Sequence, residues 1–243
     1  MVKRMTREAA RLASSDPEPL TLTMDDAAVS ALLRVPEAAR ACYVLAHGAG
    51  AGMTHPFMAA IATGLAERDI ATLRFQFPYM ERRSRRPDPP RVAQAAVRAA
   101  VAEAARRLPH LPLVAGGKSF GGRMTSQAQA EAPLPGVRGL AFLGFPLHPA
   151  GRPSRDRGRH LSAVRVPMLF LQGTRDALAA TDQIEPLCAA LGERATLRLF
   201  QDADHSFHVL ARSCRTDAAL RDELLDVLAS WITAVSANQP QRT

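Results

Sequence analysis

Val114-Ala115-Gly116-Gly117-Lys118-Ser119-Phe120-Gly121-Gly122 sets one serine between glycines directly after a short apolar segment. Glycines permit a tight turn from strand to helix, and such a turn holds a hydroxyl up at its apex as a nucleophile elbow. Small glycine-rich turns recur in many α/β proteins, so Ser119 gains meaning from two residues later in the chain. Asp176 comes after the apolar run Met168-Leu169-Phe170-Leu171, and His205 later still, after a strand ending at Phe200. The order Ser, Asp, His along the chain fits acyl-transfer chemistry through an activated serine.

Outward from the elbow, apolar runs alternate with amphipathic stretches. Leu20 to Met24 and Ala31 to Val35 read as opening strands, and Cys42 to Ala46 as a buried strand running into His47-Gly48-Ala49-Gly50-Ala51-Gly52. A helix from about Pro56 carries Phe57, Ile61 and Leu65 and leads to the strand Ile70 to Phe75. Val92 to Leu108 is an Ala-rich helix, Leu113 to Gly116 a strand, and a helix follows from Gly121. Strands are predicted at Gly139 to Phe145, Val166 to Gln172 and Ala195 to Phe200, with helices carrying Ile184, Leu187 and Leu191 and running from Leu220 to Val235. This βα alternation implies an α/β fold, a mostly parallel sheet with helices on both faces, whose ligands bind outside the carboxyl ends of the strands. We expect a flexible leader over 1–19, a single domain over 20–236 and a flexible tail over 237–243.

A serine hydroxyl attacks only when a base takes its proton, and that base needs an orienting carboxylate. His205 is the base expected among seven histidines, because a late loop can return its ring to Ser119; His208 is the alternative. Asp176 is the expected carboxylate. Asp202 and Asp204 compete, but Asp204 adjoins His205 and would have difficulty reaching the far nitrogen of the ring. For the developing oxyanion, the N–H of Phe120 is one donor and that of Ala49 or Gly50 the other. His47 reads as structural. Met53, His55, Phe75, Phe77, Tyr79, Met124 and Pro146 flank strand ends or the elbow and are candidate pocket walls. Arg74 and Lys118 could each bind an anionic substrate group or fix the loops around the site. Gly117-Lys118-Ser119 is not the end of a phosphate-binding loop, since the first glycine that loop requires falls on Pro112.

Thirty-one Lys and Arg against 23 Asp and Glu give a net charge of +8, which could attract a polyanion. The densest patch, Arg82-Arg83-Ser84-Arg85-Arg86, runs into Pro87-Asp88-Pro89-Pro90 and reads as an exposed loop; without aromatic platforms or zinc-ligand spacing, no nucleic-acid partner is expected. Cys42, Cys188 and Cys214 lack metal-binding spacing and cannot complete a disulfide framework, so a reducing, cytoplasmic location is expected and neither metal nor cofactor. No stretch approaches the roughly 20 apolar residues that span a bilayer. The oligomeric state, monomer or homodimer, stays open.

Five blocks carry a resemblance: His47 to Gly52, Arg74-Phe75-x-Phe77-Pro78-Tyr79, Gly117 to Gly122, Phe145-Pro146-Leu147-His148-Pro149 and Asp204-His205-Ser206-Phe207. They resemble the α/β-hydrolase superfamily, and within it the KANSL3/TEX-type group related to the dienelactone hydrolases, over about residues 20 to 235. The resemblance implies catalytic positions at Ser119, Asp176 and His205 and oxyanion positions at Ala49 and Phe120. Dienelactone hydrolases differ in having a cysteine nucleophile, so their lactone substrate is not carried over. The segment between Phe145 and Val166 holds only Gly, Pro and Arg-rich chain and leaves little room for a cap, so a serine hydrolase acting on carboxylic esters or thioesters of small to moderate acyl groups is expected. Some relatives serve in larger assemblies, which leaves a noncatalytic scaffold or protein-binding module as the alternative.

Overall fold

A computed structural model describes residues 16–24 and 27–237. Among the described residues eight strands form one sheet: β1 (Glu18–Thr23), β2 (Ala28–Arg34), β3 (Ala41–Ala46), β4 (Ile70–Phe75), β5 (Leu113–Lys118), β6 (Val137–Leu143), β7 (Met168–Gly173) and β8 (Ala195–Phe200). Their spatial order is β1-β2-β4-β3-β5-β6-β7-β8. The β1–β2 and β2–β4 pairs are antiparallel and all later pairs parallel.

Helices cover both faces, and that explains the near-continuous apolar runs of the central strands. In β3, Cys42, Val44 and Ala46 point to one face while Ala41, Tyr43 and Leu45 point to the other. The first face packs against α3 (Pro90–Arg107), α4 (Phe120–Glu131) and α5 (Thr181–Leu191) through Val97, Met124 and Ile184. The second packs against α1 (Pro56–Ala66) and α6 (Asp217–Ala237) through Ile61, Leu65, Leu224 and Leu228. The edge strand β1, by contrast, alternates buried and exposed residues.

The predicted elements are present, with β1 starting at Glu18, inside the expected leader. The rest of that leader, apart from Asp16 and Pro17, lies outside the described residues, as does the expected tail beyond Ala237. Three short elements escape prediction: the one-turn helix α2 (Pro78–Glu81), a 3-10 turn over Gly192–Arg194 and a 3-10 helix over Asp156–Ala163. The last sits between β6 and β7, where the sequence shows only Gly, Pro and Arg-rich chain, and it packs on α4. Among the described residues no large cap stands over the carboxyl ends of the strands.

Candidate active site

Strand β5 ends one residue before Ser119, whose φ of +50° and ψ of −114° place it in a sparsely populated region of backbone space. The strain is held from both sides. The Ser119 N–H donates to the Leu143 carbonyl at 3.1 Å, and the Ser119 carbonyl accepts from the Arg123 N–H in the first turn of α4. Glycine is required here by contact as well as conformation. A Cβ on Gly117 would lie 2.1 Å from the Ala46 oxygen, and one on Gly121 would lie 2.6 Å from the oxygens of Ala46 and His47.

Three loops at the carboxyl ends of the strands then converge. The Ser119 hydroxyl and His205 Nε2 are 2.8 Å apart, and His205 Nδ1 is 2.6 Å from Asp176 Oδ2. Asp176 is buried and its carboxylate is held at both oxygens: the Leu178 N–H donates to Oδ1 at 2.8 Å, and Gln172 Nε2 donates to Oδ2 at 2.5 Å. The orientation of the Gln172 amide is settled because its Oε1 accepts the Phe145 N–H at 2.9 Å. Gln172 is absent from the residues expected at the site. Its signal in the sequence is that of a lone polar residue in an apolar strand interior.

The competing residues lie elsewhere. Asp204 closes its own loop, Oδ1 accepting from the N–H groups of Ser206 and His208, and the Asp202 N–H meets the Thr174 hydroxyl. His208 is exposed and pairs with Asp217 at 2.5 Å. Asp217 raises its pKa.

A family model described as an alpha/beta hydrolase domain matches residues 39–233. The chain belongs to that family. Its fold is similar to solved structures: a dienelactone hydrolase from Anabaena variabilis (20% identity, 90% of this chain and 98% of that one, TM-score 0.73) and an α/β serine hydrolase without lid from Xanthomonas campestris (21%, 93% and 97%, 0.71). The esterase domain of a Rhodothermus marinus protein is also similar (19%, 90% and 98%, 0.65).

In this hydrolase domain, the loop after β3 faces the elbow. Phe120 is the first residue of α4, so its N–H has no acceptor within the helix. Ala49 and Gly50 are both exposed, but the Gly50 N–H donates to the Tyr79 hydroxyl at 2.9 Å. Among the described residues the Ala49 N–H makes no such bond. Tyr79, expected on a pocket wall, is instead fully buried; its N–H donates to buried Asp88 at 2.7 Å, and it braces the loop from behind. Tyr79→Phe is therefore expected to lower kcat about tenfold with a stability loss of about 1 kcal/mol, since one hydrogen bond is removed without a cavity. Steady-state kinetics beside a urea titration checks this, and an unchanged kcat would detach the brace from turnover.

His47 lies beneath the same loop. Its Nε2 accepts the Phe77 N–H at 3.1 Å, so Nδ1 carries the proton and donates to the Gly48 carbonyl at 2.7 Å. Burial lowers its pKa to about 4, and that of His160 likewise to about 4. Below pH 6.5 the unfolded chain gains protons that the folded chain refuses, so stability falls as pH drops from about 6.5 to 4. His47 alone should contribute about 3 kcal/mol to that loss. Urea midpoints at pH 7 and pH 4.5 should show the fall, and a smaller one in His47→Gln.

Other expected wall residues are placed differently. Phe75 is buried in the core, in edge contact with Phe77, because β4 is covered on both faces. Arg74 is buried and its Nη1 donates to the Met53 carbonyl at 3.0 Å, tying a loop rather than presenting a free charge. Met53 is half-buried, its N–H bonded to Gln76 Oε1 at 2.8 Å, and Pro146 is buried. Lys118 is tied to the His205 loop: Nζ donates to the His205 carbonyl at 2.5 Å and lies over the Phe207 ring. Burial lowers its pKa to about 8 against the opposing pull of Asp176 and Asp204. The Arg82 to Arg86 loop is exposed at each arginine, with Arg82 paired to Asp88 at 2.5 Å.

Proposed function

We propose that this chain is a serine hydrolase that cleaves carboxylic esters or thioesters of small to moderate acyl groups through an acyl-enzyme. The observation that carries the reading is the continuous chain of contacts from the Ser119 hydroxyl through the His205 ring to the buried carboxylate of Asp176. His205 takes the proton of Ser119 as Oγ attacks the acyl carbon, and Asp176 holds the ring in the tautomer that leaves Nε2 free to accept. The N–H groups of Phe120 and Ala49 receive the negative charge that builds on the carbonyl oxygen. The alcohol or thiol departs with the proton from His205, and a water, deprotonated by the same ring, releases the acid and restores Ser119.

The short chain between β6 and β7, with one 3-10 helix and no large cap, supports modest acyl groups over long lipid chains. The sequence blocks support placing the chain with the KANSL3/TEX-type group, and its free thiols support a cytoplasmic location. A fluorophosphonate probe tests the mechanism. The adduct should map to Ser119 by peptide mass spectrometry, and labelling should slow by about 100-fold or more in His205→Gln, which removes the base. A folded parent protein that takes no label would overturn the reading.

A further inference from the structure

The first turn of α4 and the 3-10 helix over Asp156–Ala163 bring together cationic side chains that the proposed chemistry does not use. Arg123 stands four residues after Ser119, and helical side chains lean toward the helix N-terminus, so its long side chain covers the turn nearest the nucleophile. Its guanidinium lies 5.8 Å from the centroid of the Phe120 ring, the residue whose N–H is proposed to hold the oxyanion. Its Nε is buried without a hydrogen-bond partner. The Nη groups are the donors left for solvent or a ligand.

The neighbours add positive charge and withhold acceptors. Burial lowers the pKa of Arg123, and Arg157, half-buried on the 3-10 helix, is close enough that its charge lowers it further. Burial and the charge of Arg123 in turn hold His160 neutral. His160 Nε2 lies 2.8 Å from the Ser126 hydroxyl, which donates to the Arg123 carbonyl, so the imidazole is anchored to the same turn of α4. The one acid of this segment, Asp156, is taken by Arg159 at 2.7 Å. Among the described residues neither Arg123 nor Arg157 has a carboxylate partner. Arg123 lies one turn before Ser126 on α4 and Arg157 one turn before His160 on the 3-10 helix, so the Ser126–His160 contact brings the two cations into one neighbourhood. Like charges there repel, and an anion bound by both would relieve that repulsion while supplying acceptors for the free donors.

We propose that Arg123 and Arg157 form an anion-binding subsite on the rim of the candidate active site, which selects esters carrying a carboxylate close to the scissile carbonyl. The inference rests on the hydrolase reading for its catalytic consequence and on the arginine pair for binding.

The test compares the 4-nitrophenyl monoester of glutaric acid with the 4-nitrophenyl methyl diester, identical except that the carboxylate is masked. At low ionic strength the parent should favour the free acid by about tenfold or more in kcat/KM, as a charge-assisted contact allows. That ratio should fall toward one in Arg123→Gln, fall less in Arg157→Gln and be partly kept in Arg123→Lys. Arg40→Gln, a surface change at the start of β3 beside Asp69, should keep the parent's ratio. Calorimetric titration with glutarate separates binding from catalysis: the parent should bind it and Arg123→Gln should not. If no ester is turned over and Ser119 takes no label, the hydrolase reading falls while the titration still decides the subsite. A ratio near one in the parent, no glutarate binding, binding unchanged in Arg123→Gln, or equal competition by sulfate would overturn the carboxylate subsite.

Discussion

Ser119→Ala is expected to lower ester turnover by about six orders of magnitude and to leave the urea midpoint of unfolding almost where it was. The hydroxyl is the only group deleted, and its bond to His205 Nε2 is a half-buried contact that water can replace. The strained backbone stays, because it is held by the Leu143 and Arg123 bonds and by the glycines, none of which involves the side chain. Asp176→Asn should cost about four orders of magnitude. With Oδ2 the acceptor of both Gln172 Nε2 and His205 Nδ1, an amide NH₂ at that position confronts two donors. If the amide flips, its oxygen meets Gln172 and His205 but its NH₂ then faces the Leu178 N–H. In the first orientation the imidazole loses its fixed tautomer; in the second it keeps the tautomer but loses the negative charge that stabilises the imidazolium, with an NH₂ set against the Leu178 N–H. Single-turnover kinetics on purified variants separates the effects, and a Ser119→Ala protein that still hydrolyses esters at about a tenth of the parent rate would remove Ser119 from the mechanism.

That Ser119, Asp176 and His205 would meet was legible because each occupies a loop after a parallel strand, and a parallel sheet gathers such loops at one end. The chain order of Ser119, Asp176 and His205, with the glycines around the first, carries that information without any knowledge of distances. What the order does not carry is how the carboxylate is oriented. Gln172 does that from within β7, on the same face as Met168 and Phe170, and only its polarity in an apolar run hinted at it.

The expected pocket wall fared differently, and for a single reason. β4 is buried along its whole length, so the alternation Arg74-Phe75-Gln76-Phe77 cannot say which side chains meet a ligand and which meet the core. Tyr79 shows how far this goes: it lies next to a functional loop and acts on it, through the Gly50 N–H, from a fully buried position. Short elements were illegible for another reason. The single turn of α2 and the 3-10 helix over Asp156–Ala163 are too brief to display a period, and both are held by contacts to distant chain, the Ser30 N–H on Glu81 and Ser126 beside His160. The basic segment around Arg157 thus reads as featureless loop in sequence yet packs on α4 in space.

The elbow glycines give the second large effect, on stability. Gly117→Val is expected to cost at least about 4 kcal/mol, a large share of the stability of a domain this size. At its φ of +148° a Cβ would project sideways within the sheet and not out of its plane, arriving 2.1 Å from the Ala46 oxygen and 2.8 Å from its carbonyl carbon. Those atoms belong to the backbone of β3, which is paired with β4 on its other side and cannot retreat without breaking that ladder. Gly151→Ala provides the comparison, since Gly151 also has a positive φ, +70°, but nothing lies within 4 Å of its Cβ position. It should cost only about 1 kcal/mol, the conformational part alone. Urea unfolding followed by near-ultraviolet circular dichroism would measure both. A Gly117→Val protein as stable as the Gly151→Ala protein would mean that β5 can shift away from β3, and the rigid elbow on which the placement of Ser119 depends would have to be given up.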